Sequence, residues 1–316
     1  MSRIKISALL ALLALSSCAT RAQTVLKPNE ALVFCYFKGN GGDGLHLASS
    51  RDGCNWTALK HDSTFLRPTV SKDKLMRDPC IIRGQDGLFH MVWTVSWQDK
   101  GIGYASSKDL IHWSEQQFLP VMQLEHKARN CWAPEISYDA RSKTYLIYWA
   151  STIAGNFPET QSTEENGYNH RIYSVSTKNF KTYTPTRLLY EPGFNVIDAS
   201  IQPDGKRYVM FLKDETREPV QKNLRVAFSE QLAGPYGPPS APITGNYWAE
   251  GPTAVRLGTE WLVYFDKYRE HKYGAVKSAD LTHWTDVSDQ IKLPAGVRHG
   301  TIFRVTAKEL KRLEQQ

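Results

Sequence analysis

Ser50-Arg51-Asp52-Gly53-Cys54-Asn55-Trp56 returns as Ser107-Lys108-Asp109-Leu110-Ile111-His112-Trp113, and again as Ser278-Ala279-Asp280-Leu281-Thr282-His283-Trp284. Weaker copies run from Thr177 to Tyr183 and from Ser229 to Tyr236. Each follows a short alternating run, such as Gly101-Ile102-Gly103-Tyr104-Ala105, of the kind that makes a half-buried strand. The polar residues of each copy are turn formers, and its closing aromatic is expected to cover the sheet edge. Self-similarity at roughly 50-residue spacing marks a repeat architecture, whose units must stack to bury their faces. Five strand–turn–strand units predict an all-β fold, a five-bladed propeller.

Working back from each turn places five inner strands, the ones that line a propeller's central channel. They begin at Arg77-Asp78-Pro79, Trp132-Ala133-Pro134-Glu135, Ile197-Asp198-Ala199, Glu250-Gly251-Pro252 and Arg298-His299-Gly300. The stretch from Ala31 to Leu59 supplies outer strands without an inner one, and His299 to Val305 is an inner strand without outer ones. Together they predict one blade closed between the two ends of the chain.

The first residues stand apart from this pattern. Arg3 and Lys5 precede an apolar run from Ile6 to Leu15 and then Ser16-Ser17-Cys18. A basic start, a short apolar stretch and small residues make an export signal, too short to stay as a membrane span. Leu15-Ser16-Ser17-Cys18 also resembles a bacterial lipobox, with Cys18 as the lipidated terminus; ordinary cleavage after Ala19 or Ala22 is the alternative. The expected organisation is a signal peptide over 1–17, a linker over 18–28, the propeller over 29–306 and a short exposed helical tail over 307–316. The expected location is the periplasm, or a bacterial membrane to which Cys18 anchors the chain.

The formal net charge of +7 comes from dispersed lysines and arginines mixed with acids, with no basic stripe of the kind that binds nucleic acid. Four cysteines follow Cys18, namely Cys35, Cys54, Cys80 and Cys131. They lack metal-site spacing, and either disulfides or buried thiols fit them.

Carboxylates are rarely buried without partners. Asp78, Glu135, Asp198 and Glu250 fall near the starts of four successive inner strands, and His299 falls at the start of the fifth. Capping of strand ends accounts for any one of them alone; the set around one funnel points to chemistry.

In blade order these motifs resemble glycoside hydrolase family 43, five-bladed propellers that cleave plant cell-wall glycans. The resemblance spans essentially the whole mature chain. Arg77-Asp78-Pro79 with Gly87-Leu88-Phe89-His90 resembles the first-blade motif that carries the catalytic base. Trp132-Ala133-Pro134-Glu135 resembles the second-blade motif, although the acid there is commonly Asp. Ile197-Asp198 with Asp204-Gly205 is similar to the segment whose acid tunes a partner, and Glu250-Gly251-Pro252 to the one bearing the general acid. A second departure is that outer strands of another blade precede Asp78.

The resemblance implies Asp78 as general base, Glu250 as general acid and Asp198 as the group that raises the proton affinity of Glu250. Inverting hydrolysis needs such a pair roughly 6.5–9.5 Å apart, with room for water between them. Arg77, Trp97, Trp132, Glu135, Arg298 and His299 are the candidate substrate contacts; packing between blades is the other reading of either tryptophan. No cofactor is expected, although His299 could also sit beside a central calcium, as in some relatives. The implied partner is an oligosaccharide or polysaccharide.

Removal of terminal sugars fits best, with α-L-arabinofuranosidase the first choice. β-Xylosidase, β-galactofuranosidase and endo-arabinanase stay open, because the path of the polar insertion from Ala154 to His170 decides the pocket's shape. Sialidase boxes resemble the repeated turns, but here the aromatic comes six residues after the serine and the box glycine is missing from its usual place. Invertase-like enzymes share Arg-Asp-Pro, yet their Asn-Asp-Pro-Asn and Glu-Cys segments are missing. A non-catalytic glycan-binding propeller lipoprotein has the same architecture, since fold does not fix function.

Overall fold

A computed structural model describes residues 26–163 and 165–316. The export signal and Cys18 lie outside the described residues. Five antiparallel sheets form the propeller. Its inner strands are Arg77–Arg83, Trp132–Asp139, Val196–Asp204, Glu250–Leu257 and Gly300–Thr306. Blades one, two, four and five have four strands, and blade three, built on Val196–Asp204, has three.

Closure occurs where the chain arithmetic places it. Gly300–Thr306 pairs antiparallel with Glu30–Tyr36 over a register running from Glu30 opposite Thr306 to Tyr36 opposite Gly300. His46–Ser50 and Thr57–Ala58 complete that blade, so residues from both ends of the described chain share one sheet.

The repeated turns are held by their own side chains. Ser50 Oγ accepts from the Gly53 amide at 2.9 Å, and Asp52 Oδ1 accepts from Cys54 and Asn55, each at 2.8 Å. Ser107 with Asp109 and Ser278 with Asp280 repeat this arrangement. Thr177 and Asn179 reproduce it with different chemistry. In the weakest copy Gln231 stands where the acid would be, and its amide donates to Ser229 Oγ.

The closing aromatics do more than cover an edge. Trp56 of the fifth blade packs 5.9 Å from Tyr264 of the fourth, and Trp284 of the fourth packs 6.3 Å from Phe211 of the third. Tyr236 of the third lies 6.1 Å from Tyr190 of the second. Trp113 and Tyr183 join the clusters between blades five and one and between blades one and two. Each repeat therefore carries a ring that binds it to the blade before it. Burying a large aromatic takes roughly 150–250 Å² out of water, and the apolar core is correspondingly divided into five clusters, one at each blade interface.

The tail is not the exposed helix expected from sequence. Ala307–Glu314 is helical and is started by a capping box between Thr306 and Glu309. Leu310 and Leu313 are buried in the cluster between blades five and one, and Glu309 pairs with Arg83 at 2.5 Å. Its amphipathic spacing sets one face against the core. Cys35, Cys54, Cys80 and Cys131 are all free of disulfides. No helix among the described residues is long and apolar enough to cross a membrane.

Candidate active site

At the funnel end four of the five inner strands break their pairing in the same way. Register slips between Arg77 and Cys80, Trp132 and Glu135, Ile197 and Ser200, and Glu250 and Thr253. In each bulge one residue turns left-handed: Asp78 (φ 51), Ala133 (φ 47), Asp198 (φ 54) and Gly251 (φ 60). Bulges re-aim side chains, and non-glycine residues in this region cost about 1–3 kcal/mol each, a strain that collects at functional sites. Glycine at 251 has a second cause, since a Cβ there would lie 2.4 Å from the His299 ring. The four acids therefore do not share one position. Asp78 and Asp198 occupy the left-handed site, Glu250 precedes it by one residue, and Glu135 follows it by two.

Asp78, Asp198 and Glu250 converge on one pocket of about 290 Å³, together with Arg77, Trp97, Trp132, Arg298 and His299. His299 lies at its floor, Nδ1 3.4 Å from Asp78 Oδ1. Burial opposes its charge, but Asp198 and Asp78 outweigh that and hold the imidazolium up to about 9. Asp78 is the mirror case. Burial would raise its carboxyl, yet His299, Arg77 and the Thr94 hydroxyl, which donates at 2.8 Å, bring it down to about 2. Asp198 Oδ2 accepts from the Gly251 amide at 3.0 Å.

Glu250 is held by two cations. Lys213 Nζ donates to its Oε2 at 3.1 Å and Arg298 Nη2 to its Oε1 at 3.3 Å. Arg298 is braced in turn by Asp266 at 2.6 Å. Lys213 is itself buried and pairs with Glu215 at 2.6 Å, which also pairs with buried Lys222 at 2.6 Å. Burial would raise Glu215, but the two lysines pull it down to about 2. None of Lys213, Glu215, Lys222 or Asp266 was expected from the sequence. Lys213 and Asp266 sit opposite Ile197 and Glu250 on the second strands of their blades. A charged residue ending a buried apolar run, as in Met210-Phe211-Leu212-Lys213 and Tyr264-Phe265-Asp266, is the signal that could have found them.

One rim of the pocket is aromatic. Trp97 is 43% exposed, and the Arg77 guanidinium lies 4.3 Å over its ring. Trp132 meets Trp97 edge-on at 5.6 Å and donates from Nε1 to the Trp97 carbonyl at 3.0 Å. The insertion from Ala154 to His170 reaches this rim, with Tyr168 4.7 Å from the Trp132 ring. Arg129 fastens its far end by donating to the carbonyls of Asn166 and Gly167.

A family described as a probable glycosyl hydrolase domain, related to glycoside hydrolase family 43, matches residues 27–311. The chain belongs to that family. Among solved structures, a thermostable family-43 glycoside hydrolase is 16% identical with a TM-score of 0.55, covering 72% of this chain and 82% of its own. An α-L-arabinofuranosidase from Lactobacillus brevis is 18% identical with a TM-score of 0.52, covering 67% and 72%. The catalytic domain of a Coprinopsis cinerea family-62 α-L-arabinofuranosidase is 12% identical with a TM-score of 0.53, covering 75% and 76%. At these identities the likeness is one of fold. No curated protein matches the sequence.

One expectation changes in this glycosyl hydrolase domain. Glu135 does not line the pocket with the other acids. It lies deeper in the channel, in the wall of a cavity of about 620 Å³ that opens on the opposite face. There it accepts from Tyr148 and Thr301, each at 3.2 Å, and burial raises its carboxyl to about 7 against those bonds. Its place behind the bulge removes it from the candidate substrate contacts. His299, held as an imidazolium, carries positive charge beside Asp78 and Asp198. Among the described residues no three His, Cys, Asp or Glu side chains are grouped to hold a metal ion.

Asp198 gives a pH-dependent prediction. Burial, and then Glu250 and Asp78, raise its carboxyl from the ordinary 3.8 to about 6 against the pull of His299 and Lys213. Ionising it therefore costs folded stability: nothing below pH about 4, a growing amount up to about 6, and the full amount above. Asp198→Asn keeps an acceptor for the Gly251 amide and removes that charge. That shift already includes the pull of His299, so the variant should be more stable at pH 8 by on the order of 1–3 kcal/mol, several degrees in melting temperature. The two melting curves should meet near pH 4. A variant that melts below the parent protein at pH 8 would show that Asp198 is net stabilising as an anion.

Proposed function

We propose that this domain is an inverting, exo-acting glycosidase of plant cell-wall type glycans, an α-L-arabinofuranosidase in the first instance. The observation that carries this reading is the convergence of Asp78, Asp198 and Glu250 on one pocket beside Arg298 and His299. Asp78, ionised at neutral pH, accepts a proton from water as that water attacks the anomeric carbon. Glu250 gives its proton to the glycosidic oxygen as the carbon–oxygen bond breaks, so the leaving group departs as an alcohol. Lys213 and Arg298 then stabilise the carboxylate left on Glu250. Asp198 acts through position, because its bond to the Gly251 amide fixes the peptide next to Glu250.

A pocket of about 290 Å³ has the scale of one sugar unit with part of its neighbour, which favours removal of a terminal residue over cleavage within a chain. The test is a panel of 4-nitrophenyl arabinofuranoside, xyloside and galactofuranoside, with the first product anomer read by NMR. Arabinose released first as the β-anomer from the α-linked substrate is the expected result. Fastest release of xylose or galactofuranose would move the specificity to a β-xylosidase or β-galactofuranosidase, and retention of configuration would overturn the mechanism. Stable heat of glycan binding without release of sugar from any substrate would make the protein a glycan-binding propeller instead.

A further inference from the structure

Cations crowd a single indole in the lining of the pocket. Trp248 stands in the wall with Glu250, and Arg217, Arg269 and Lys222 lie 5.1, 5.0 and 5.5 Å from its ring centre. Lys222 is buried and is matched by Glu215 at 2.6 Å. Arg217 and Arg269 differ, for among the described residues neither forms an ion pair with a carboxylate. Arg217 is half-buried and Arg269 is exposed, so both reach solvent beside Trp248, just outside the lining of the pocket itself.

Packing alone is a weak account of this arrangement. A cation over an aromatic face gains little at an exposed site, while like charges around one ring repel one another. A guanidinium stacked on a ring keeps its edge donors free, in a fork that fits a carboxylate or a sulfate. Inside the pocket the cations are already committed: His299 lies against Asp78, and Lys213 and Arg298 bind Glu250, so they are not free for an acidic group there. The cations with no carboxylate partner among the described residues are Arg217 and Arg269 beside Trp248.

Resting on the reading of this pocket as a glycosidase site, we infer that the substrate is an acidic glycan. The unit removed is neutral, and the unit left behind carries an anion, a uronate carboxylate or a sulfate ester, that binds Arg217 and Arg269 beside Trp248. Direct contact with two guanidinium groups gives affinity that weakens as salt screens it.

The experiment is calorimetry on the full chain with three ligands of one backbone: xylotriose, xylotriose bearing a glucuronic acid branch, and xylotriose bearing a sulfate ester. At low salt at least one acidic ligand should bind about tenfold more tightly than the neutral one, a difference of about 1.4 kcal/mol. The gap should narrow in 0.5 M salt, and whichever acidic ligand keeps the larger gap identifies the anion. The Arg217→Gln/Arg269→Gln double variant should bring the ratio to within about twofold. Lys108→Gln, in a repeated turn on the opposite face, should preserve it.

Equal binding of neutral and acidic ligands would overturn the inference, as would a double variant that stays folded by circular dichroism and retains the gap. If neutral arabinosides are hydrolysed while the acidic ligands show no advantage, the glycosidase reading stands and this inference falls. If the acidic advantage is present but no glycoside is hydrolysed, the charged subsite stands and the enzymatic reading falls.

Discussion

Asp78→Asn should lower kcat by about 10²–10⁴-fold, on natural linkages and on dinitrophenyl glycosides alike. A base is needed to activate water whatever the leaving group, so a better leaving group should not rescue the variant. Asparagine suits the test on structural grounds. It tolerates the left-handed backbone at this position (φ 51) and can still accept from Thr94, whereas alanine would also empty the floor beside His299. The substitution removes the carboxylate that burial would raise but that His299 and Arg77 hold down to about 2. A parent enzyme working well below pH 5 would agree with so acidic a base. An Asp78→Asn protein that keeps near-parental turnover on either substrate would take Asp78 out of the mechanism.

The propeller was legible because its repeat is a physical device with a fixed chemistry. A serine and an acid tie each turn to its own amides, and those two residue types survive in most copies. The missing inner strand at one end and the missing outer strands at the other made closure a matter of counting. The destination of the aromatics was not legible. Alternation along one strand shows which face is buried, but not which blade buries it, so Trp56 against Tyr264 emerges only in three dimensions. The tail misled for a related reason. Its mostly charged sequence reads as solvated, while Leu310 and Leu313, spaced to share one face, reach the core between two blades.

At the site, the acids were legible as a set and their geometry was not. A strand alternates its faces, and a bulge shifts that alternation by one residue. Counting from the strand starts alone put Glu135 with Asp78 and Asp198, whereas the bulge at Ala133 carries it down the channel to Tyr148 and Thr301. Lys213-Asp214-Glu215 is a case the sequence did not signal. A run of charges after an apolar strand normally meets solvent, yet Lys213 is buried here because Glu215 and Glu250 both lie within ion-pair distance of it.

Glu250→Gln should separate the two catalytic roles through leaving-group chemistry. A sugar alkoxide leaves poorly until it is protonated, so natural linkages should lose about 10²–10⁴-fold in kcat. Dinitrophenolate leaves without a proton, and its glycoside should lose at most about tenfold. Glutamine keeps an oxygen for only one of Lys213 and Arg298 and turns its NH2 toward the other. A disturbed cation cluster would slow both substrates alike, so the contrast between them still reads proton donation. The pH profile adds a second, independent readout. With the acid gone, the alkaline limb of kcat on natural linkages should flatten, while the acidic limb set by the base persists. Equal loss on both substrates would mean that Glu250 only positions the sugar. The proton donor would then be sought at Asp198, whose carboxyl is raised to about 6 and lies in the same pocket.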